Sequence, residues 1–442
     1  MTRLAGFMVA GLLCLGSAVG CAPARLAGPR LPFDSKLPGP VVLPSIGTPT
    51  PVDLASLRLP NRQAVEKALG NKPEITGYRL LTESQCQCLA AAESTLGNLL
   101  AAERQSVLAS VVGRRDREAA GRSVLADVLG LRAIEERNRS AAEALELYYR
   151  LAAAHFARDR LDHSLAEVRQ GIEELHKAKE TGLTIPQEES KLQAQEIQLL
   201  DRKVQLDAAI EQLDDQLCQL LGLERDPSQP LWPGAEFAVR VAAVAAEAAV
   251  DEGLRSRPDL ALLALLHENV DEQTLGAIRG ALGRNDPLLG RPAPRKHMIS
   301  TAVHRARICL EAETRQEQLG QLLDARRRAA EVEIRRAAAE VDRRLRQIGL
   351  AKDKLEQSEK ALQRLRQRRE TKGSPGASEV RAAQLEVLSA EVDAVQAVVE
   401  WKIATVRLKQ TQGLLAGECG YALTGASCPT CPKPEASGLA SP

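Results

Sequence analysis

Leu192, Leu199, Leu206, Leu213 and Leu220 recur every seven residues, and Ile210 and Leu217 fill the offset by four. Apolar side chains returning at that period line one stripe of a helix, and the stripe stays dry only against another helix. The chain is therefore expected to be built from helices paired lengthwise. Composition agrees. Hydrophobic residues are 44% of the 442, mostly Ala, Leu and Val, while aromatics are only 2%. Globular cores draw on the large area of Phe, Tyr and Trp, whereas long helices meeting through thin seams are rich in Ala, Leu, Glu, Lys and Arg. No stretch shows the period-two alternation of a strand, so the expected fold class is all-α with little or no β.

The heptad helix lies between breakers. Before it, ETGLTIPQEES (180–190) stops a helical run expected from about Arg114 to Lys179. The stop falls at Gly182 and the restart at Pro186, whose missing N–H costs nothing in a first turn. After it, Gly222, Pro227, Pro230 and Pro233 end the helix. ETKGSPGASEV (370–380) repeats the interruption at Gly373, and the spacing, 373 − 182 = 191, is less than half of 442. Two copies of one helical hairpin unit follow from that arithmetic. The first unit, 79–222, opens on a short helix with Thr82 or Ser84 as N-cap, interrupted at Gly113. After a linker at 223–248, the second unit, 249–417, has a short helix opening at Pro258 and a Gly/Pro-rich loop at 283–297. A long helix from about Ser300 to Glu370 comes next, on the order of 100 Å at ~1.5 Å per residue. The closing helix carries Leu385, Leu388, Val392, Val395, Val399, Ile403 and Val406 and ends at Gly413.

The first 20 residues read as a signal peptide: Arg3, an apolar stretch too short and Gly-rich for a membrane span, then small residues. Ala18-Val19-Gly20-Cys21 resembles a bacterial lipobox, with Ala18 where Leu is usual, which would make Cys21 the lipidated first residue; the other reading is an ordinary cleaved signal with a chance Cys. Ala22, not Asp, follows, which in the sorting rule this resembles favours the outer membrane. Nine prolines lie between 22 and 60, so 21–78 is expected to be an extended tether.

Several marks resemble TolC-type outer-membrane efflux proteins: LCQLLGL (217–223), LRSRPDLALL (254–263), EWKIATVRLKQTQGLL (400–415), and an acidic residue six after each turn glycine, Glu188 and Glu379. They span about residues 80–416. The resemblance implies a protomer of a periplasmic helical tunnel made by a homotrimer, with the seam Leu and Val residues inside each hairpin. It implies tips that dock a periplasmic adaptor of an efflux or type I export system with its inner-membrane pump. The tip residues would be Thr181, Gly182, Thr184 and Glu188 in the first turn and Lys372, Gly373, Ser374 and Glu379 in the second. The family also inserts two strands in each repeat to form a membrane barrel. Here the first insertion point, around Val112 to Asp116, is a few charged residues, and the second, about 270–300, is rich in Gly, Pro and Arg. The expectation is a member without a pore of its own, and a lipid-anchored periplasmic scaffold or spacer is the alternative.

Other features point to little chemistry. Residues 321–370 hold twelve Arg and three Lys against nine acids, with no aromatics to stack on bases. This reads as a solvated face rather than a nucleic-acid surface. The six His are scattered, and no phosphate loop, nucleophile elbow or HExxH is present, so neither an enzyme nor a cofactor is expected. Cys86 and Cys88 sit two apart on a helix and point apart. Cys218 and Cys309 read as small seam residues. Cys419, Cys428 and Cys431 fall in a tail (418–442) read as flexible, where a disulfide or free pair is favoured over metal.

Overall fold

In the computed structural model the described residues are 77–110, 117–181, 186–237, 244–272, 274–291, 301–372 and 376–421, with Leu59, Arg62 and Val239; the side chains of 117–120, 186–187, 301–307, 309 and 372 are not among them. All lie in one unit spanning Pro49–Pro442. The order is β1 (Arg79–Leu81), α1 (Glu83–Ala92), α2 (Thr95–Ala109), α3 (Arg117–Glu180), α4 (Pro186–Leu220), β2 (Leu231–Pro233) and α5 (Ala246–Ser256). Then come α6 (Pro258–Glu268), α7 (Leu275–Asn285), α8 (Thr301–Lys372), α9 (Ala377–Gln412) and α10 (Leu415–Glu418).

The local signals act where they stand. Thr82 rather than Ser84 caps α1: its Oγ1 accepts the Gln85 N–H at 3.3 Å, and Gln85 Oε1 accepts the Thr82 N–H at 3.0 Å, a reciprocal capping box. Pro258 opens α6. The hairpin helices α4 and α9 start at 186 and 377, again 377 − 186 = 191 apart. They end on the same device. Gly222 (φ 63°) and Gly413 (φ 80°) take the left-handed conformation, and the N–H five positions on closes the last turn, Leu223 to the Cys218 carbonyl and Leu414 to Lys409. The duplication is thus written into cap geometry as well as helix length.

The long helices lie side by side in the order α4, α3, α9, α8. The inner helix α9 packs against both α3 and α8, and small residues let it do so: Ala390, Ala394, Val398 and Val399 are fully buried. Among the long helices the edge helix α4 packs chiefly on α3. Its heptad is therefore not the closed seam the sequence suggests. Leu192, Leu199 and Leu206 are half-buried, and near its end only Leu217 of the stripe is fully covered. On the far side of α4, Ile197 and Val204 are 68% and 69% exposed; on the other edge helix, α8, Leu350 is 70% exposed.

Two departures from the sequence reading lie at the end where the repeats meet. β1 and β2 pair in parallel, Arg79 opposite Leu231, so the linker is tied into the first unit. Asp214 Oδ1 accepts the Leu231 N–H at 2.8 Å and Arg79 Nη2 donates to the Glu224 carbonyl at 3.0 Å. The strands are three residues long and leave no alternation to read. Behind them the rings of Tyr78 and Trp232 meet at 5.1 Å and those of His155 and Trp232 at 4.7 Å. Burial, then the Arg158 charge, pushes His155 down to about 3, so the ring is neutral. The second departure is Cys419, which is not part of a free tail. It forms a disulfide with Cys88 of α1, and just beyond it the Arg137 guanidinium stacks on the Tyr421 ring at 4.2 Å.

Candidate docking site at the helical tips

The first tip is the end of α3 and the start of α4. Thr181 is exposed, and its hydroxyl donates back to the Ala178 carbonyl at 2.7 Å, satisfying a helix-end acceptor. Gly182 and Thr184 lie outside the described residues, as do Gly373, Ser374 and the side chain of Lys372 at the second tip. Glu188 is half-buried in the first turn of α4 and Glu379 exposed in the first turn of α9. Neither makes an ion pair among the described residues. An acid there suits the positive helix end. The neighbouring Glu189, which the sequence reading did not single out, clamps the first hairpin through His176 (3.5 Å) and Lys179 (3.7 Å).

Just behind the tips the two repeats touch. A polar cleft of about 560 Å³ lies between α3, α8 and α9. Arg381 Nη2 donates to Glu174 Oε2 at 2.6 Å, Gln384 Nε2 to Glu167 Oε1 at 2.5 Å, and Arg366 Nη2 to Gln384 Oε1 at 3.0 Å. Arg381 is only 11% exposed because it lies over Gly171, where a Cβ would sit 2.4 Å from its guanidinium carbon. A mid-helix glycine was the available sign of this close approach. The partners, more than 200 residues apart, give no local signal. A second groove of about 530 Å³, between α3, α4 and α9, receives Leu199 and Leu206 opposite Leu388 and Val392.

No group of His, Cys, Asp and Glu could hold a metal among the described residues. Burial, then the Glu83 carboxylate, pushes the Cys86 thiol up to about 12. No described helix is long and apolar enough to cross a membrane. Cys21, Cys428 and Cys431 lie outside the described residues, as do 111–116 and 292–300, which include the first expected strand insertion point and part of the second. Within the second, 275–285 is the helix α7.

No family model and no curated protein matches the sequence. Solved structures do. The Campylobacter jejuni CmeC outer membrane channel aligns over 75% of this chain and 85% of its own, at 11% identity and a TM-score of 0.56. The chain has the TolC-type helical fold. The VceC outer membrane protein of Vibrio cholerae (15% identity, 81% and 96% coverage, TM-score 0.48) and the Neisseria gonorrhoeae MtrE outer membrane channel (12%, 75% and 88%, 0.48) are also similar. The TolC-type fold makes sense of the duplication: two equivalent hairpins stand side by side, one giving the edge α4 and the other the edge α8.

Proposed function

We propose that this chain is an outer-membrane-factor-like component of an efflux or type I export system. Its signal peptide, residues 1–20, is removed, and Cys21 carries the lipid that holds it to the outer membrane on the periplasmic side. With two further copies it forms a helical tunnel, and its tips dock a periplasmic adaptor joined to an inner-membrane pump. It is neither an enzyme nor a nucleic-acid binder. The observation that carries the reading is the pair of uncovered apolar edges, Ile197 and Val204 on α4 and Leu350 on α8. Two different edges meeting head to tail close a ring if the rotation allows, and Ile197 and Val204, on the side of α4 away from its heptad, supply one side of that contact. A lipid-anchored scaffold is the second reading. It is favoured by α7, a helix in the stretch where the resemblance places strands.

Substituting both tips together, Thr181→Glu and Glu188→Lys with Lys372→Glu and Glu379→Lys, is expected to weaken adaptor binding about tenfold and to lower export. The folded chain is expected to be unchanged, since Thr181 and Glu379 are exposed. Adaptor binding and export equal to the parent's would remove the docking claim.

A further inference from the structure

We propose that the turn between α7 and α8, Pro287 to Arg291, is a membrane-surface contact that takes anionic lipid headgroups. The turn is built to display its leucines. Asp286 Oδ1 accepts the Leu288 N–H at 2.7 Å and the Asp286 carbonyl accepts the Leu289 N–H at 2.9 Å. Arg291 Nε donates to the Pro287 carbonyl at 2.9 Å, and Arg315, on α8, donates to the Arg291 carbonyl at 3.0 Å. Held from both ends, the turn leaves Leu288 72% and Leu289 37% exposed. Adjacent leucines fixed in water are unfavourable unless something covers them.

Charge selects the occupant. Between 279 and 291 the sequence has three Arg and one Asp. Arg279 is paired with Glu311 through two bonds, at 2.9 and 2.8 Å. Arg284 and Arg291 make no ion pair among the described residues and are exposed. Burial, then the nearby Arg132 charge, outweigh the Glu135 carboxylate and push the Arg284 pKa down. An apolar tip flanked by unpaired guanidinium groups suits a bilayer interface, with leucine at the acyl boundary and arginine on phosphate. A second copy meeting this tip through its own would set like charges against each other.

The contact rests on the membrane location proposed above but not on the acyl group at Cys21. The test uses the full chain as Cys21→Ala, so that no acyl chain contributes. It is floated with vesicles of phosphatidylcholine with and without phosphatidylglycerol. The expected result is flotation with the anionic vesicles, weakened by added salt. Leu288→Asp/Leu289→Asp should lower it about tenfold, and Arg284→Gln/Arg291→Gln several-fold. No flotation, equal flotation on neutral vesicles, or double variants that float like the parent would overturn the proposal. So would a smaller sedimentation mass for the leucine variant without vesicles and unchanged flotation, which assigns the turn to contact between copies. The mass of the Cys21 peptide in the mature wild-type protein reads the lipid anchor separately.

Discussion

Cys88→Ser and Cys419→Ser each lower the unfolding free energy by about 3–5 kcal/mol, and the double variant falls no further than either single one. The bond joins residues 331 apart, so in the unfolded chain it closes nearly the whole length of the two repeats and removes a large conformational freedom. In the folded chain it fastens α10 to α1, beside contacts that orient the same helix. Gln87 Nε2 donates to the Leu415 carbonyl at 2.9 Å, and Asn138 Oδ1 accepts the Leu415 N–H at 3.0 Å. Those two bonds remain when the disulfide is gone, so α10 should stay docked in the native state while global stability drops. Denaturant unfolding with and without reductant checks this. Coincident midpoints would show that the bond contributes nothing. Such a pair persists in an oxidising compartment, which supports the export reading.

Arg257→Ala is expected to cost about 3 kcal/mol. Arg257 is buried at the joint between α5 and α6 and satisfies three partners. It donates to both Asp259 oxygens (3.0 and 2.8 Å), to Glu333 Oε2 (2.8 Å) and to the Thr411 carbonyl at the end of α9 (3.0 Å). Arg326 bridges the same two acids at 2.7 and 2.8 Å. Truncation leaves Asp259 partly paired through Arg326 and the Thr411 carbonyl without its donor. Arg257→Lys should recover only part of the loss, because an ammonium cannot reproduce the planar fork. Burial raises the Asp259 carboxyl, but hydrogen bonds and charge from Arg257, then Arg326, outweigh it and hold it at about 2. A folded pKa below the unfolded one gives stability that is complete above about pH 4 and is lost as pH falls toward 2, about 2 kcal/mol in all. Arg257→Ala should shrink that acid-dependent part. Urea titrations at neutral and acid pH measure both effects. An Arg257→Ala midpoint equal to the parent's at neutral pH contradicts this account of the joint.

Much of the fold was legible because its signals are local. Thr82, Pro186, Pro258 and Gly413 mark helix ends by backbone chemistry that does not depend on what lies across the molecule. Burial was less legible. The most regular heptad belongs to α4, whose leucines are half-covered, whereas α9, closed on two sides, carries Ala390, Ala394 and Ala404 among its buried residues. A helix pressed between two neighbours needs small side chains over a wide arc, and that arc blurs the seven-residue period. Leu192, Leu199 and Leu206 announced a seam, but not whether the same chain would close it. The breaks between α3 and α4 and between α8 and α9 were visible in the sequence at Gly182 and Gly373. The bridge behind them, Arg381 to Glu174, and the Cys88–Cys419 bond were not, since both join residues more than 200 apart.

The central claim is that the uncovered edges of α4 and α8 belong to a ring of three chains. The most direct test is the mass of the mature protein in mild detergent by sedimentation or light scattering, for the parent and for Ile197→Glu/Val204→Glu. The account predicts a trimer that falls to monomer when the α4 edge is charged. A parent that is monomeric at every concentration would contradict it and leave the anchored scaffold.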